Sequence, residues 1–250
     1  MKSFELKTPE YIPVNCRGKV SFGGNQCWFP KDHFLNLQYN MNKWGCGTVA
    51  IADLFLYLAR CKRKWNTPVT ALARPMRQIM DVRDYLLYLE FMHNHFAPVF
   101  PGGMSGVALA ASVKLYVTKY KIPLRVTWKT FLSDDEMYTL IRRMLANDLP
   151  VIISIGTNSP MIFGHEGVDF YTKSKTLENT KLEHFTRYYK SIHKHFVTVT
   201  GIVALKNKKM MLKISSWGNE YYINYEEYRN YVNMKGDRIT SSMLYLEWKE

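Results

Sequence analysis

The sequence predicts an α+β protein whose first half is helical and whose second half forms an antiparallel sheet. Before residue 121, three stretches carry apolar residues at helical spacing or on nearly every helix face, whereas β-branched and aromatic runs with hairpin signals concentrate beyond residue 122. No repeat, low-complexity tract or Gly/Ser linker divides the 250 residues, of which 47% are hydrophobic. We therefore expect one domain over residues 1–250, with a helical half at about 30–121 and a sheet half at about 122–250.

Composition and cysteine content exclude several classes of protein. The 34 Lys and Arg residues against 21 Asp and Glu give a net charge of +13, which is compatible with an acidic partner. The four cysteines are too few for a disulfide scaffold and lack the CxxC spacing of a zinc site. No apolar run approaches the roughly 18 residues of a membrane span, and the first residues lack the apolar core of a signal peptide. We expect a cytoplasmic protein with free thiols, no membrane span and no cofactor.

Three helices are predicted in the first half, after a short hairpin at 18–29 that carries a Gly-Gly turn signal. The stretch CGTVAIADLFLYLAR, which starts at Cys46, is apolar on nearly every face and predicts a buried helix. Residues 76–95 predict an amphipathic helix, and residues 105–120 predict a helix whose small residues allow a neighbour to approach closely. The buried helix is the centre of this half.

Strands and capped helices alternate in the second half. In order, they are a strand at 124–128, a helix opened by a capping box at Ser133 and Glu136, a buried strand between Pro150 and Gly156, a hairpin formed by 195–205 and 210–218, and a helix capped by Asn224 and Glu227. Residues 157–194 show no sustained period. A long irregular segment in a compact domain is typical of a lid or binding loop, so we expect 157–194 to cover a functional site.

Cys46 and His195 are the residues best placed for nucleophilic chemistry. Cys46 begins a long helix, where free backbone N–H groups and the helix dipole stabilise an anion, so we expect a thiol pKa below the usual value of about 8.5. His195 begins a strong strand directly after the irregular segment, and a neutral imidazole is suited to take the thiol proton near pH 7. A nucleophilic thiol with a histidine base predicts an enzyme that transfers an acyl group through a thioester on the cysteine.

Two other kinds of site have weaker support in the sequence. His193 and His195 lie two residues apart, with His165 and His184 upstream, but no carboxylate or cysteine completes a short metal-binding spacing, so we expect no metal. The net charge and the 17 Tyr, 13 Phe and 6 Trp residues are compatible with nucleic-acid binding. No recognisable binding motif accompanies them, so we do not expect nucleic acid as a partner.

Four segments resemble the papain-like cysteine peptidases, and in particular the leader peptidases of bacteriocin exporters. Trp44-Gly-Cys46-Gly-Thr-Val-Ala resembles the nucleophile turn of that branch, and Leu149-Pro-Val-Ile-Ile-Ser-Ile its central strand. His195-Phe-Val-Thr-Val-Thr-Gly201 is similar to its histidine strand, and Ser215-Ser-Trp-Gly218 to the tetrapeptide that begins with the third catalytic residue. The order of the four segments is more specific than any one of them. The resemblance implies a papain-like fold, with a helical half packed on a sheet half and the active site between them.

The resemblance also implies roles for individual residues. Cys46 is then the nucleophile, His195 the general base and acid, and Gln38 a side-chain amide donor to the oxyanion, with Asn40 as an alternate donor. The third catalytic position, where the family has Asn or Asp, is Ser215 here, a shorter and weaker acceptor. A hairpin turn near 207–208 would bring His195 opposite 218–220 unless a bulge shifts the register, so Asn219 is an alternate orienting residue.

Together these features predict an enzyme that forms a thioester on Cys46 and hydrolyses a peptide, amide or other acyl substrate. The basic charge is compatible with an acidic substrate. Two alternatives stay open at the level of sequence. One is an acyltransferase that passes the acyl group to an amine, and the other is a catalytically inert relative that only binds its ligand.

Overall fold

The computed structural model describes residues 3–31, 36–157, 166–174, 185–205 and 209–249. Over these residues the chain is an α+β protein with six α-helices and a large antiparallel sheet, as the sequence predicts. The helices are α1 (Leu37–Trp44), α2 (Cys46–Cys61), α3 (Val82–His95), α4 (Gly106–Lys119), α5 (Asp134–Ala146) and α6 (Tyr225–Met234).

Nine of the twelve described strands form the large sheet. In chain order the strands are β1 (Phe4–Glu5), β2 (Val14–Cys16), β3 (Lys19–Val20), β4 (Met80–Asp81), β5 (Leu124–Lys129), β6 (Val151–Ile155), β7 (Val168–Lys173), β8 (Phe185–Ile192), β9 (His195–Ala204), β10 (Met210–Ser216), β11 (Asn219–Asn224) and β12 (Met243–Trp248). The spatial order of the large sheet is β5-β12-β6-β9-β10-β11-β7-β8, and β1 pairs with the far end of β9. The other three strands form a small sheet in the order β3-β2-β4.

Helix α2 is the buried centre of the helical part. All of its residues from Gly47 to Ala59 are buried, because the helix is apolar on every side and is covered by α3, α4 and β9. Helices α1 and α2 meet at Gly45 with a bend of 84°. A Cβ at Gly45 would lie 2.3 Å from the carbonyl oxygen of Met41, so the bend requires glycine.

Among the described helices, no single one is long and apolar enough to span a membrane. Helices α1 and α2 taken together are long and apolar enough, but they are bent by 84°.

Several predicted elements are confirmed, and their local signals are visible in the structure. Ser133 accepts the N–H of Glu136 at the start of α5, and Asn224 accepts the N–H groups of Glu226 and Glu227 at the start of α6. Strand β6 is buried at every residue. Strands β9 and β10 pair antiparallel, as predicted for the hairpin.

The expectation of an irregular segment at 157–194 is wrong where the structure describes it. Strands β7 and β8 lie within this segment and extend the large sheet. Strand β8 forms the edge of the sheet and is exposed along most of its length, so it lacks the alternation of apolar and polar residues that identifies a strand. The parts at 158–165 and 175–184 lie outside the described residues.

The predicted hairpin at 18–29 is displaced toward the N-terminus. Strands β2 and β3 form a hairpin that turns at Arg17 and Gly18, both with positive φ. The Gly23-Gly24 pair lies after this hairpin in a loop that crosses α2 and β10, where it contacts Asp53, Ser215 and Tyr85. The absence of a side chain at Gly23 and Gly24 allows this loop to pack closely against its neighbours, and neither glycine forms a hairpin turn.

Candidate active site

Cys46 and His195 line one cleft, although 149 positions separate them in the chain. Cys46 is the first residue of α2, and His195 is the first residue of β9. The cleft has a volume of about 840 Å³, within the range of small-molecule and peptide sites. Trp44, Trp128 and Trp217 supply much of its apolar wall.

The close approach of α2 to β9 depends on the small residue after the cysteine. A Cβ at Gly47 would lie 3.3 Å from the ring of Phe196 and 3.4 Å from the sulfur of Met104. The backbone groups of Phe196, Gly47 and Cys46 lie close enough to the Cys46 thiol to lower its pKa. The nucleophile is held against the first residues of the histidine strand.

The pKa of the Cys46 thiol is raised, which contradicts the expectation of a lowered value. Burial is the largest cause, and the N–H groups of Phe196, Gly47 and Cys46 lower the pKa by less than burial raises it. In the described chain, no hydrogen bond joins the thiol to the His195 imidazole. The resting site therefore holds a neutral thiol, not a thiolate.

The His195 imidazole is buried and held by two neighbours from the next hairpin. Its Nε2 lies 2.8 Å from the hydroxyl oxygen of Ser216, and its ring stacks on Trp217 with centroids 4.3 Å apart and an interplanar angle of 21°. Burial lowers the pKa of His195 from its ordinary value of about 6.5 to about 3. The imidazole is therefore neutral at physiological pH.

Trp217 reaches His195 because β10 and β11 are joined by a turn of two residues. Trp217 and Gly218 both have positive φ, 49° and 72°, as a tight hairpin with the twist of its strands requires. Glycine tolerates this conformation, whereas a tryptophan held in it is strained. The strained turn places the indole ring over the imidazole.

Ser215, the predicted orienting residue, does not contact His195. Its hydroxyl donates to the backbone oxygen of Phe22 at 2.8 Å. A shift in the β9–β10 register between Lys213 and Ile214 pairs Ser215 with Thr198, so the next residue, Ser216, shares the face of His195. Without this bulge Ser215 would lie on the same face of the sheet as His195; with the bulge, Ser216 does.

The other predicted site residues also lie apart from Cys46 and His195. Gln38 is exposed on α1, and neither it nor Asn40 lines the cleft. The side-chain amide of Asn219 donates to the carbonyl oxygen of Trp217 at 3.0 Å and does not bond to the imidazole.

Gln26 is the glutamine that the structure brings to the cleft, and sequence reasoning missed it. It is buried, lines the cleft together with Cys46, and donates one N–H of its side-chain amide to the carbonyl oxygen of Asn42 at 2.9 Å. A short 3₁₀ turn, Gln26–Trp28, carries it, with Asn25 as the cap. The contact that places Gln26, its bond to Asn42, spans 16 residues and leaves no local signal in the sequence.

Asp53 is a buried carboxyl group beneath the site. Its two oxygens accept the N–H of Gly24 and the hydroxyl of Tyr85, each at 2.8 Å. It shares a cavity of about 20 Å³, large enough for a single water molecule, with Cys46, His195 and Ser215. Burial raises its pKa from about 4 to about 7, although both hydrogen bonds lower it.

The shifted pKa values of Asp53 and His195 predict opposite dependences of stability on pH. The raised pKa of Asp53, about 7, stabilises the fold at low pH, and this contribution is lost as the pH rises from about 4 to 7. The lowered pKa of His195, about 3, stabilises the fold at neutral pH, and this contribution is lost as the pH falls below about 6.5. Between about pH 4 and 6.5 each group changes the free energy of unfolding by about 1.4 kcal/mol per pH unit, and the two changes cancel because they have opposite signs.

A variant that removes one of the two groups should therefore reveal how the other group changes the free energy of unfolding with pH. The free energy of unfolding, measured by chemical denaturation across this pH range, should rise with pH in Asp53→Asn and fall with pH in His195→Gln, relative to wild type. Parallel curves for the three proteins would contradict both pKa assignments.

The described residues contain no group of three or more His, Cys, Asp or Glu side chains arranged to hold a metal ion. His165 and His184, two members of the alternative metal site, lie outside the described residues, and His193 lines the cleft.

A scan of protein-family models, a search of curated proteins and a search of solved structures each gave no match to this chain.

Proposed function

We propose that this protein is a cysteine-dependent acyl-transfer enzyme of papain-like architecture, which hydrolyses a peptide or amide bond through a thioester on Cys46. One observation carries the proposal. Cys46 at the start of α2 and His195 at the start of β9 line one cleft, and Ser216 is hydrogen-bonded to the imidazole. This arrangement supplies a nucleophile, a base and an orienting group.

The proposed first step begins from neutral groups. In the mechanism we propose, His195 is the Nε2–H tautomer and donates to the Ser216 hydroxyl, which lies 2.8 Å from Nε2. Nδ1 then accepts the thiol proton as sulfur attacks the carbonyl carbon. The C–N bond then breaks, and the leaving amine takes that proton. In the second step His195 removes a proton from water, which attacks the thioester and releases the acid and the free thiol.

Charge that develops on the carbonyl oxygen requires hydrogen-bond donors at the start of α2. The second N–H of the Gln26 side-chain amide and the backbone N–H of Cys46 are the donors we assign to this role, in place of Gln38. Removal of one such donor costs about 10²–10³ in rate in enzymes of this chemistry.

The experiment that tests the proposal detects the acyl-enzyme itself. Neutral capped aminoacyl p-nitrophenyl esters and thioesters are incubated with the protein, and peptide mass spectrometry locates the acyl group. We expect acylation of Cys46 well above that of Cys61, which lies half-buried at the other end of the same helix and is the matched control. Acylation must disappear in Cys46→Ala. Equal rates at Cys46 and Cys61 would contradict the proposal.

Added amines separate hydrolysis from transfer within the same experiment. If amide products exceed the background formed in solution, the acceptor is an amine and the enzyme is an acyltransferase. If the acid is the product at every amine concentration, the acceptor is water.

An inert binding protein of the same architecture is the second candidate. The raised pKa of Cys46 and the missing thiol–imidazole hydrogen bond in the described chain favour it. It predicts that Cys46 takes no acyl group, while a peptide ligand still protects Cys46 from alkylation.

A further inference from the structure

The cleft that contains Cys46 has an uneven distribution of charge. Among the described residues that line it, the ionisable side chains besides Cys46 are Lys43, His193, Lys194 and His195, and none is Asp or Glu. Asp53 lies beneath the site but does not line this cleft, and its oxygens accept the N–H of Gly24 and the hydroxyl of Tyr85. Two other carboxylates near lining residues in sequence are also engaged, since Glu166 pairs with Lys235 at 3.2 Å and Asp237 accepts the N–H of Ile239 at 2.7 Å. The lining therefore carries positive charge only.

Lys43 lines the cleft and contacts two aromatic side chains. Its ammonium group lies 4.9 Å from the ring centroid of Trp44 and 3.3 Å from the hydroxyl oxygen of Tyr39. Trp44 itself lines the cleft. Within the described chain Lys43 forms no ion pair with a carboxylate, so its charge is available to a ligand.

Lys194 also lines the cleft and directly precedes His195. Its φ is 51°, in the left-handed region, and its backbone N–H donates to the carbonyl oxygen of Gly156 at 3.1 Å. This bond fixes the backbone of Lys194 against another lining residue of the cleft. In the part of the chain that the structure describes, Lys194 also has no carboxylate partner.

We propose that Lys43 and Lys194 form an anion subsite beside Cys46, so that the cleft selects an acyl substrate that carries a carboxylate close to the scissile bond. The inference rests on the proposed function and names the class of its substrate. Two exposed lysines that form no ion pair with a described carboxylate raise the local concentration of an anion. The tryptophans bind the uncharged part of the same substrate.

Two alkylating reagents of nearly the same size test the subsite without a known substrate. Iodoacetate and iodoacetamide both form an S–C bond with Cys46 and release iodide, but only iodoacetate is an anion. The ratio of their rates at Cys46, measured by peptide mass spectrometry at about pH 8.5 and low salt, should exceed the ratio at Cys61. It should fall about tenfold in the double variant Lys43→Gln, Lys194→Gln and in about 1 M salt.

Lys114→Gln is the matched control for the single variants Lys43→Gln and Lys194→Gln, because it also removes one positive charge but from the exposed face of α4, outside the cleft lining. It should leave the ratio at Cys46 unchanged. An equal fall in this variant, or an unchanged ratio in the double variant, would overturn the subsite while leaving the acyl-enzyme test unaffected. Cys46 that reacts with neither reagent would overturn both proposals, since the cleft would then be closed.

Protection of Cys46 from iodoacetamide distinguishes the two sources of a carboxylate. The probes are acetyl-Ala-Glu-Ala-amide, acetyl-Ala-Gln-Ala-amide and acetyl-Ala-Gln-Ala with a free C-terminus. We expect the first or the third to protect better than the second, and the better one identifies an acidic side chain or a chain end. Equal protection by all three peptides would overturn the proposal.

Discussion

Replacing Ser216 with alanine is expected to slow the acylation of Cys46 by a neutral ester about 5- to 150-fold. The serine hydroxyl is the partner of the buried Nε2 of His195, and an unpaired buried N–H costs about 1–3 kcal/mol. Without this partner the proton also moves more easily to Nδ1, the nitrogen that must accept the thiol proton. Acylation kinetics measure the loss, and ¹⁵N NMR of the imidazole reports the tautomer.

Ser215→Ala is the matched control for this prediction. Ser215 is buried like Ser216, but its hydroxyl donates to Phe22 on the other face of β10, so its loss should affect the rate less than the loss of Ser216. His195→Ala alone should reduce the rate by about 10²–10⁴. In that background Ser216→Ala should have no further effect, because its contribution passes through the imidazole. A larger loss in Ser215→Ala would favour the register implied by the family resemblance over the register of the structure.

Strong local patterns made much of the fold predictable. Helix α2 is apolar throughout, α5 and α6 carry side-chain caps, and β6 is a short apolar run bounded by proline and glycine. Each of these signals is contained in fewer than about 20 neighbouring residues and reflects burial or capping directly. Cys46 and His195 were recognisable for the same reason, since each begins such an element.

Features that depend on distant contacts could not be predicted. Strand β12 lies between β5 and β6, but its pairing with strands more than 80 residues away leaves no local signal. The choice between Ser215 and Ser216 depends on a bulge of one residue, which has no marker in the sequence. The thiol pKa depends on burial by the whole fold, and this outweighs the helix terminus.

Gly23→Ala is expected to lower the free energy of unfolding by about 2–5 kcal/mol. Gly23 is buried with φ at +91°, and a Cβ there would lie 2.1 Å from the hydroxyl oxygen of Ser215 and 2.9 Å from a carboxyl oxygen of Asp53. The left-handed backbone costs an alanine about 1–2 kcal/mol, and forcing a methyl group into a packed site costs about 1–3 kcal/mol more. Chemical denaturation at neutral pH measures the difference.

Gly18→Ala separates the two causes, because Gly18 has a similar φ of +82° but nothing within 4 Å of the added Cβ. It should cost only the backbone term, about 1–2 kcal/mol. Ser215→Ala removes the atom that clashes most closely, so the double variant Gly23→Ala, Ser215→Ala should be more stable than the two single losses together predict. Equal losses in Gly23→Ala and Gly18→Ala would mean that the loop containing Gly23 and Gly24 does not pack against β10 and Asp53. Gln26 follows Gly23 by three residues, and the packing of this loop places it in the cleft. The stability of the Gly23 variants and the acylation rate of Cys46 therefore both depend on the position of this loop.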